Sequence, residues 1–546
     1  MTKLIAVGKA MEINMGITSY CTIAYCCLFL PLSAILYSIA PKKFRWLPLL
    51  VSSYAFFWLI SGKLLVYLLF TTVCIYLTGL WLAQSKAKCD EHTAGMSAAE
   101  SRKASAVFIK REKAVLALVI VIHVALLALL KYSKFFVGNI NGVLSIIGIS
   151  QTIHIPKFAA PIGISFYSLQ AISYICDVYR RKIPADRNLA RVAVYMSFFP
   201  QIMEGPICRY SDTAHQLYRG DAIKFENIKF GAQRILFGML KKIVIADRLN
   251  SLVDTVFSNH ANYNGTVAAI AAIAYTCQLY MEFSGTMDVV IGSAEIFGVK
   301  MPENFTRPFF SKTISEFWQR WHITLGTWFK DYIYYPISMS PFSKKLTKKS
   351  RKKLGNFYGP MLVSTVALFC VWFCNGMWHG SGWRYIFFGM YHFALITCGN
   401  LIKPLVKKTN SKLGVNSLSP AYKGMQIFRT SVLVCIGELF FRANGLRAGF
   451  DMTRLIVTDF SFKTFTDGTL LSLGLDLYDY IVVFVTVALV FVISVLNEKG
   501  KSVREMIAQK KLPVRWTIYI ALLFYIIIFG AYGENYIPVD PIYADF

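Results

Sequence analysis

The feature that most constrains this 546-residue chain is a set of long runs without a formal charge. Residues 20–40 and 64–85 are long enough to cross hydrocarbon as helices, and 265–281, 481–496 and 516–532 reach that length marginally. With 55% of the chain hydrophobic, there is more apolar surface than a soluble core of this size could hide. The chain therefore reads as an all-α, polytopic transmembrane protein whose solvent is the lipid bilayer. Residues 1–14 are too short and too mixed in charge for a cleavable secretion signal, so the first span is expected to be retained.

The net charge of +28 does not point to nucleic acid, because the basic residues are packed into short connectors between apolar spans. The clusters fall at 42–45, 86–113, 180–191, 344–353, 403–412 and 499–515, a pattern that reports topology. Placing all six in the cytoplasm predicts both termini outside, the final tail carrying acidic Glu534, Asp540 and Asp545. Spans are predicted near 20–40, 46–61, 64–84, 114–131, 158–177, 358–378, 383–402, 426–444, 478–496 and 516–532. Between 189 and 340 the apolar pattern is interrupted by Pro200, Gly205, Pro206, Glu282, Asp288 and Glu295. Broken or re-entrant helices are expected there, and backbone of that kind is tolerated at membrane depth only around protein or a cavity. The total is about ten to twelve spans, in three segments: N-terminal helices 1–150, a core 151–445 and a two-span extension 446–546. Of the twelve cysteines, Cys26, Cys27, Cys74, Cys277, Cys370 and Cys374 lie in apolar spans without metal-ligand spacing, so neither a metal site nor a disulfide framework is predicted.

Few residues are polar enough, and placed deeply enough, to carry chemistry. His379 lies in Phe373-Cys-Asn-Gly-Met-Trp-His-Gly-Ser-Gly-Trp383, at the outer turn of a predicted hairpin. An ionisable group at that depth is either a proton acceptor for a hydroxyl or a structural histidine satisfied by a carbonyl. His322 sits where helical spacing puts Trp318, His322, Leu325 and Phe329 on one face; it is either aimed into protein or incidental to an aromatic belt. His123 and His392 lack such settings and read as structural. Glu282 and Asp288 interrupt an apolar run and need partners, for which Arg209 and Arg442 are candidates; they serve as ion pairs or orient catalytic groups. Residues 304–308 and 200–206 read as turns around the same cavity. There is no phosphate loop, serine elbow or zinc motif, and a cytoplasmic phosphate-bearing ligand could instead meet the basic residues around Arg307, Lys312 and Arg320.

Motifs across most of the chain then carry a resemblance. They are Phe29-Leu-Pro31, Pro161-Ile-Gly-Ile-Ser-Phe-Tyr167, Asp177-Val-Tyr-Arg180 and Phe199-Pro-Gln-Ile-Met-Glu-Gly-Pro-Ile-Cys-Arg-Tyr210. Further along stand Gly238-Met-Leu-Lys-Lys-Ile-Val-Ile-Ala-Asp-Arg248, Pro302-Glu-Asn-Phe305, Glu316-Phe-Trp-Gln-Arg-Trp-His-Ile-Thr-Leu325 and Asn375-Gly-Met-Trp-His-Gly380. Together they resemble the membrane-bound O-acyltransferases, in particular the bacterial branch that acetylates polysaccharides. The resemblance implies catalytic roles for His379 and His322 and a tunnel through the membrane. Asn375, Trp378, Trp321, Glu282, Asp288 and Arg320 are expected to line or support it. Acetyl-CoA would be the donor, entering from the cytoplasm near His322, with no permanently bound cofactor. The acceptor would approach near His379, and an extracytoplasmic transferase would pass the group to a polysaccharide outside a bacterial cytoplasmic membrane. Related tails end in a tyrosine that carries the acyl group, a position matched by Tyr543, although Ala544 and Asp545 depart from the usual Phe and Gln and Glu282 stands for the usual Asp. Two rival expectations remain: D-alanyl transfer to teichoic acid from a carrier protein, and a proton-coupled transporter or flippase of polymer precursors.

Overall fold

The computed structural model describes residues 19–149, 152–154 and 159–531. Among them every extended element is helical, and the one β contact is an isolated bridge between Phe305 and Trp321. Helices satisfy their own backbone N–H and C=O groups, which lipid cannot do. Among the described residues, eight helical stretches are long and apolar enough to cross a membrane: Lys42–Thr93, Ala98–Ile146, Gly265–Ile296, Pro341–His379, Trp383–Lys412, Pro420–Arg442, Leu477–Glu498 and Leu512–Phe529.

The eight stretches do not map one to one onto the predicted spans, for identifiable reasons. Residues 46–84 form one helical stretch with a break at Gly62, where φ is +53°. Residues 24–39 and the helix Ile164–Tyr179 are each shorter than a full span, the latter being buried along almost its whole length. The basic connectors at 86–113 and 344–353 are themselves largely helical, extending the spans beyond their apolar parts.

The elements that build the site are α1 (Ala98–Leu127), α2 (Ile164–Tyr179), α3 (Phe225–Met239), α4 (Gly265–Ile296), α5 (Ile314–Arg320) and α6 (Ile323–Phe329). They are followed by α7 (Pro341–His379), α8 (Trp383–Lys412), α9 (Pro420–Arg442) and α10 (Leu477–Glu498). Helix α4 is the most buried of these spans, with 61% of its most apolar stretch buried against 17% for α10. It lies directly on α3 because both present glycine: a Cβ at Gly238 would stand 2.5 Å from the Gly285 carbonyl oxygen.

Contrary to expectation, Glu282, Asp288 and Glu295 do not break α4. Their charges are met by cations from other elements: Glu282 by Lys242 at 2.8 Å, Asp288 by Arg234 at 2.9 Å and Lys241 at 2.5 Å, and Glu295 by Arg504 at 2.7 Å. Arg209 and Arg442, proposed from sequence as partners, pair instead with Asp331 and Asp254. Choosing partners by residue type ignored the topology, which brings residues 234–242 alongside α4. Breaks do occur on either side of α4, in the short helices at 189–219 and 314–338.

Candidate active site

The predicted hairpin of α7 and α8 turns at residues 380–382. Glycines bring its arms together, since a Cβ at Gly376 would meet the Tyr385 carbonyl oxygen at 2.5 Å and one at Gly389 would meet that of Trp372 at 2.4 Å. Gly355, with φ +75° and ψ −178°, interrupts α7 just after its basic segment. From Gly359 to His379 the helix then runs roughly 30 Å, the thickness of a hydrocarbon layer. His379 thus sits at the end of the hairpin remote from the lysines of 344–353 and 403–412.

His322 comes to the same place by a different device. The helical face predicted from Trp318 to Phe329 is in fact two helices, α5 and α6, broken at Trp321–His322. His322 has φ +46° and ψ +51°, a left-handed conformation that costs a non-glycine residue about 1–2 kcal/mol. Asn304 holds the break. Its backbone carbonyl accepts from the Ile323 N–H at 3.0 Å, and its Oδ1 accepts from the Thr324 N–H at 3.1 Å and the Thr324 hydroxyl at 2.9 Å. The same Oδ1 lies 3.2 Å from His322 Nδ1. Because an amide oxygen only accepts, Nδ1 carries the proton and a neutral His322 has its lone pair on Nε2. Thr324 Oγ1 also accepts from the Ile207 N–H at 2.9 Å, tying the 200–206 turn to the site.

Trp378 is in ring contact with both histidines, its ring centroid 5.5 Å from that of His322 and 5.1 Å from that of His379. His379 also meets Phe388 at 5.9 Å and Phe441 at 5.3 Å. Phe388 in turn touches His392, to whose Nδ1 the Trp318 indole donates at 3.2 Å. His392, read from sequence as structural, is thus one ring removed from His379.

A cavity of about 470 Å³ reaches His322. It follows α7 from Met361 to Asn375, roughly 21 Å of helix, and is lined on the facing elements by Trp318, Trp321 and Asn400. Asn400 and Met361 lie toward the lysine-rich ends of the hairpin, so the cavity extends from that end toward His322 and Asn375. His379 is not in its lining; it is one helical turn beyond Asn375 on α7. The Asn375 carboxamide is buried, and its Oδ1 has no hydrogen-bond partner among the described residues.

Of the other expected site residues, Trp321 lines the cavity and stacks on Phe317 at 5.4 Å. Arg320 points away from it and pairs with Glu316 at 2.9 Å and Glu498 at 3.0 Å. Glu282 lines neither cavity, while Asp288 faces a second, smaller one of about 150 Å³ shared with Arg234, Lys241 and Asn304. Tyr543 lies outside the described residues. The sequence reading passed over Asn304 as a site residue, because its partner His322 is eighteen positions away. It also missed Lys131, although a lysine at the end of an apolar run was itself a signal.

With that geometry in place, comparison with known proteins is decisive. The family model described as MBOAT, membrane-bound O-acyltransferase family, matches residues 177–436, which include α4 and both histidines. The probable alginate O-acetylase AlgI of Pseudomonas aeruginosa is 32% identical over 438 residues, covering 80% of this chain and 74% of the relative. The chain belongs to the MBOAT family. A peptidoglycan O-acetyltransferase of Helicobacter pylori is 30% identical over 50% of this chain and 53% of its own length. A teichoic acid D-alanyltransferase of Bacillus subtilis is more distant, 29% identical over 45% of this chain and 60% of its own length. This MBOAT protein is a multi-pass membrane O-acyltransferase of the alginate O-acetylase type.

Proposed function

We propose that this acyltransferase takes an acetyl group from acetyl-CoA at the lysine-rich face and delivers it across a bacterial cytoplasmic membrane toward an extracytoplasmic polysaccharide, through a partner transferase. The observation that carries this reading is the arrangement about Trp378. A cavity from the lysine-rich end reaches His322 and Asn375, and His379, outside its lining, contacts the same indole as His322. Donor and acceptor can then approach from opposite faces. Lysine-rich connectors are the usual mark of a cytoplasmic face, which supports reading both termini as outside.

In this reading the pantetheine arm occupies the cavity with its thioester carbonyl near Asn375, whose amide can donate to the developing oxyanion. His379 takes the proton of the attacking hydroxyl; the oxygen bonds to the carbonyl carbon, and CoA leaves as thiolate and is protonated. The hydroxyl belongs to the acceptor or to Tyr543 as a relay. His322, presenting a lone pair on Nε2, is suited to orienting a donor group of the substrate, which favours positioning over oxyanion binding.

Full-length protein in vesicles, with radiolabelled acetyl-CoA on one side and acceptor on the other, tests this. Label should cross and reach the acceptor, and His379→Ala should stop it while the protein remains folded. A folded His379→Ala protein that supports full acetylation would overturn the assignment. Transfer from an aminoacyl-charged carrier protein in place of acetyl-CoA would redirect the reading to D-alanyl transfer.

A further inference from the structure

Helix α1 passes into a π-helical turn, Ala128–Tyr132, which places two consecutive side chains against the end of α7. Lys131, 8% exposed, donates from Nζ to the Trp378 carbonyl at 2.9 Å and to Ser165 Oγ at 3.2 Å. Its ammonium also lies 6.0 Å from the Trp378 ring centroid. Tyr132 donates its hydroxyl to the Met377 carbonyl at 2.5 Å.

Met377 and Trp378 belong to the last turn of α7, where carbonyls have no intrahelical N–H and the helix dipole leaves partial negative charge. Gly380 is extended, with φ 173°, so the chain supplies no left-handed cap of its own. The cap comes from another helix, and it is cationic. A π turn, with its extra residue, is a recurrent way to aim side chains at a functional site. Burying an ammonium at such depth is costly, which makes a merely space-filling role a poor account of it.

We propose that Lys131 is a positioning residue for acyl transfer: its ammonium, with the Tyr132 hydroxyl, caps α7 and fixes the Trp378 indole and the His379 imidazole relative to the donor cavity. The inference rests on the assignment of His379 as the base. Lys131 is not a catalytic residue in this account, since it acts through the backbone of Trp378.

Turnover, KM for acetyl-CoA and the detergent unfolding midpoint of full-length Lys131→Met and Lys131→Arg proteins test it. Misplacement of a reacting group by about 1 Å costs on the order of 100-fold in rate, so Lys131→Met should lose about 30- to 100-fold in turnover with KM within about twofold. Lys131→Arg, which keeps a cationic donor, should recover most of the loss, and ethylamine should partly restore a Lys131→Ala protein. Turnover of Lys131→Met within about threefold of the parent, or a loss confined to KM, would overturn the inference. If Lys131→Met does not fold, Lys131→Gln takes its place, with about tenfold loss expected and full turnover counting against the role. His379→Ala assayed alongside separates the two claims: if it is inactive while Lys131→Met is normal, only this inference falls, whereas an active His379→Ala removes the reading beneath it.

Discussion

The two histidines that flank Trp378 are held in opposite ways. His322 is fixed by hydrogen bonds, in a strained left-handed backbone between two short helices, with Asn304 clamping both its ring and the two N–H groups that follow. His379 terminates a long helix and is surrounded by Trp378, Phe388 and Phe441. One site is built by a break in regular structure, the other by packing at the end of it. Change at His322 therefore acts on backbone and ring together, whereas change at His379 acts mainly on the imidazole.

The largest effect should come from His379. Losing a general base costs about 10²- to 10⁴-fold, so His379→Ala should reduce turnover by about 10³-fold, close to 4 kcal/mol of barrier, with little change in unfolding midpoint. His322→Ala should cost about 10²-fold in turnover, because the ring orients substrate rather than moving its proton. A His322→Ala loss larger than that of His379→Ala would invert the comparison and make His322 the base. The backbone half separates cleanly. His322→Gly should lose as much turnover as His322→Ala yet be more stable by about 1 kcal/mol, since glycine adopts positive φ without penalty. Equal stability of the two would mean that Asn304 does not impose the strain.

Asn304→Ala comes next. It leaves the Thr324 N–H and hydroxyl without their acceptor and releases the His322 tautomer, so about tenfold in turnover and about 1–3 kcal/mol in stability should be lost together. A loss of stability with unchanged turnover would confine Asn304 to the backbone and detach it from the ring.

How far the sequence could be read follows the same division. Spans, basic connectors and the hairpin ending at His379 were legible because hydropathy and the 3.6-residue repeat report them directly. The break at His322 was not, since the apolar spacing from Trp318 to Phe329 continues across it as though one helix were present. What breaks the helix is Asn304, a contact from outside the periodic segment. The cap on α7 was hidden for a similar reason, as Lys131 looked like the end of a span until tertiary structure placed it beside Trp378. The unbroken course of α4 was likewise invisible, because neutralisation of its carboxylates depends on residues 234–242 lying alongside.

Those carboxylates supply the smallest expected effect on turnover and the sharpest boundary for the site. Asp288 meets Arg234, which also pairs with Glu303, and Lys241, whose buried ammonium would lose its carboxylate if Asp288 were neutralised. Removing one partner of a buried pair costs about 3–5 kcal/mol, so Asp288→Asn should lower the unfolding midpoint substantially. Asp288 faces only the smaller cavity, whose lining shares no residue with that of the donor cavity, so turnover per folded molecule should stay within about twofold. Restoring the balance by combining Asp288→Asn with Lys241→Met should recover stability without altering turnover. If Asp288→Asn instead lowers turnover at unchanged stability, the ion pairs of α4 act on His322 through Asn304, and the contrast between a hydrogen-bonded and a packed histidine must extend to a charged layer behind the first.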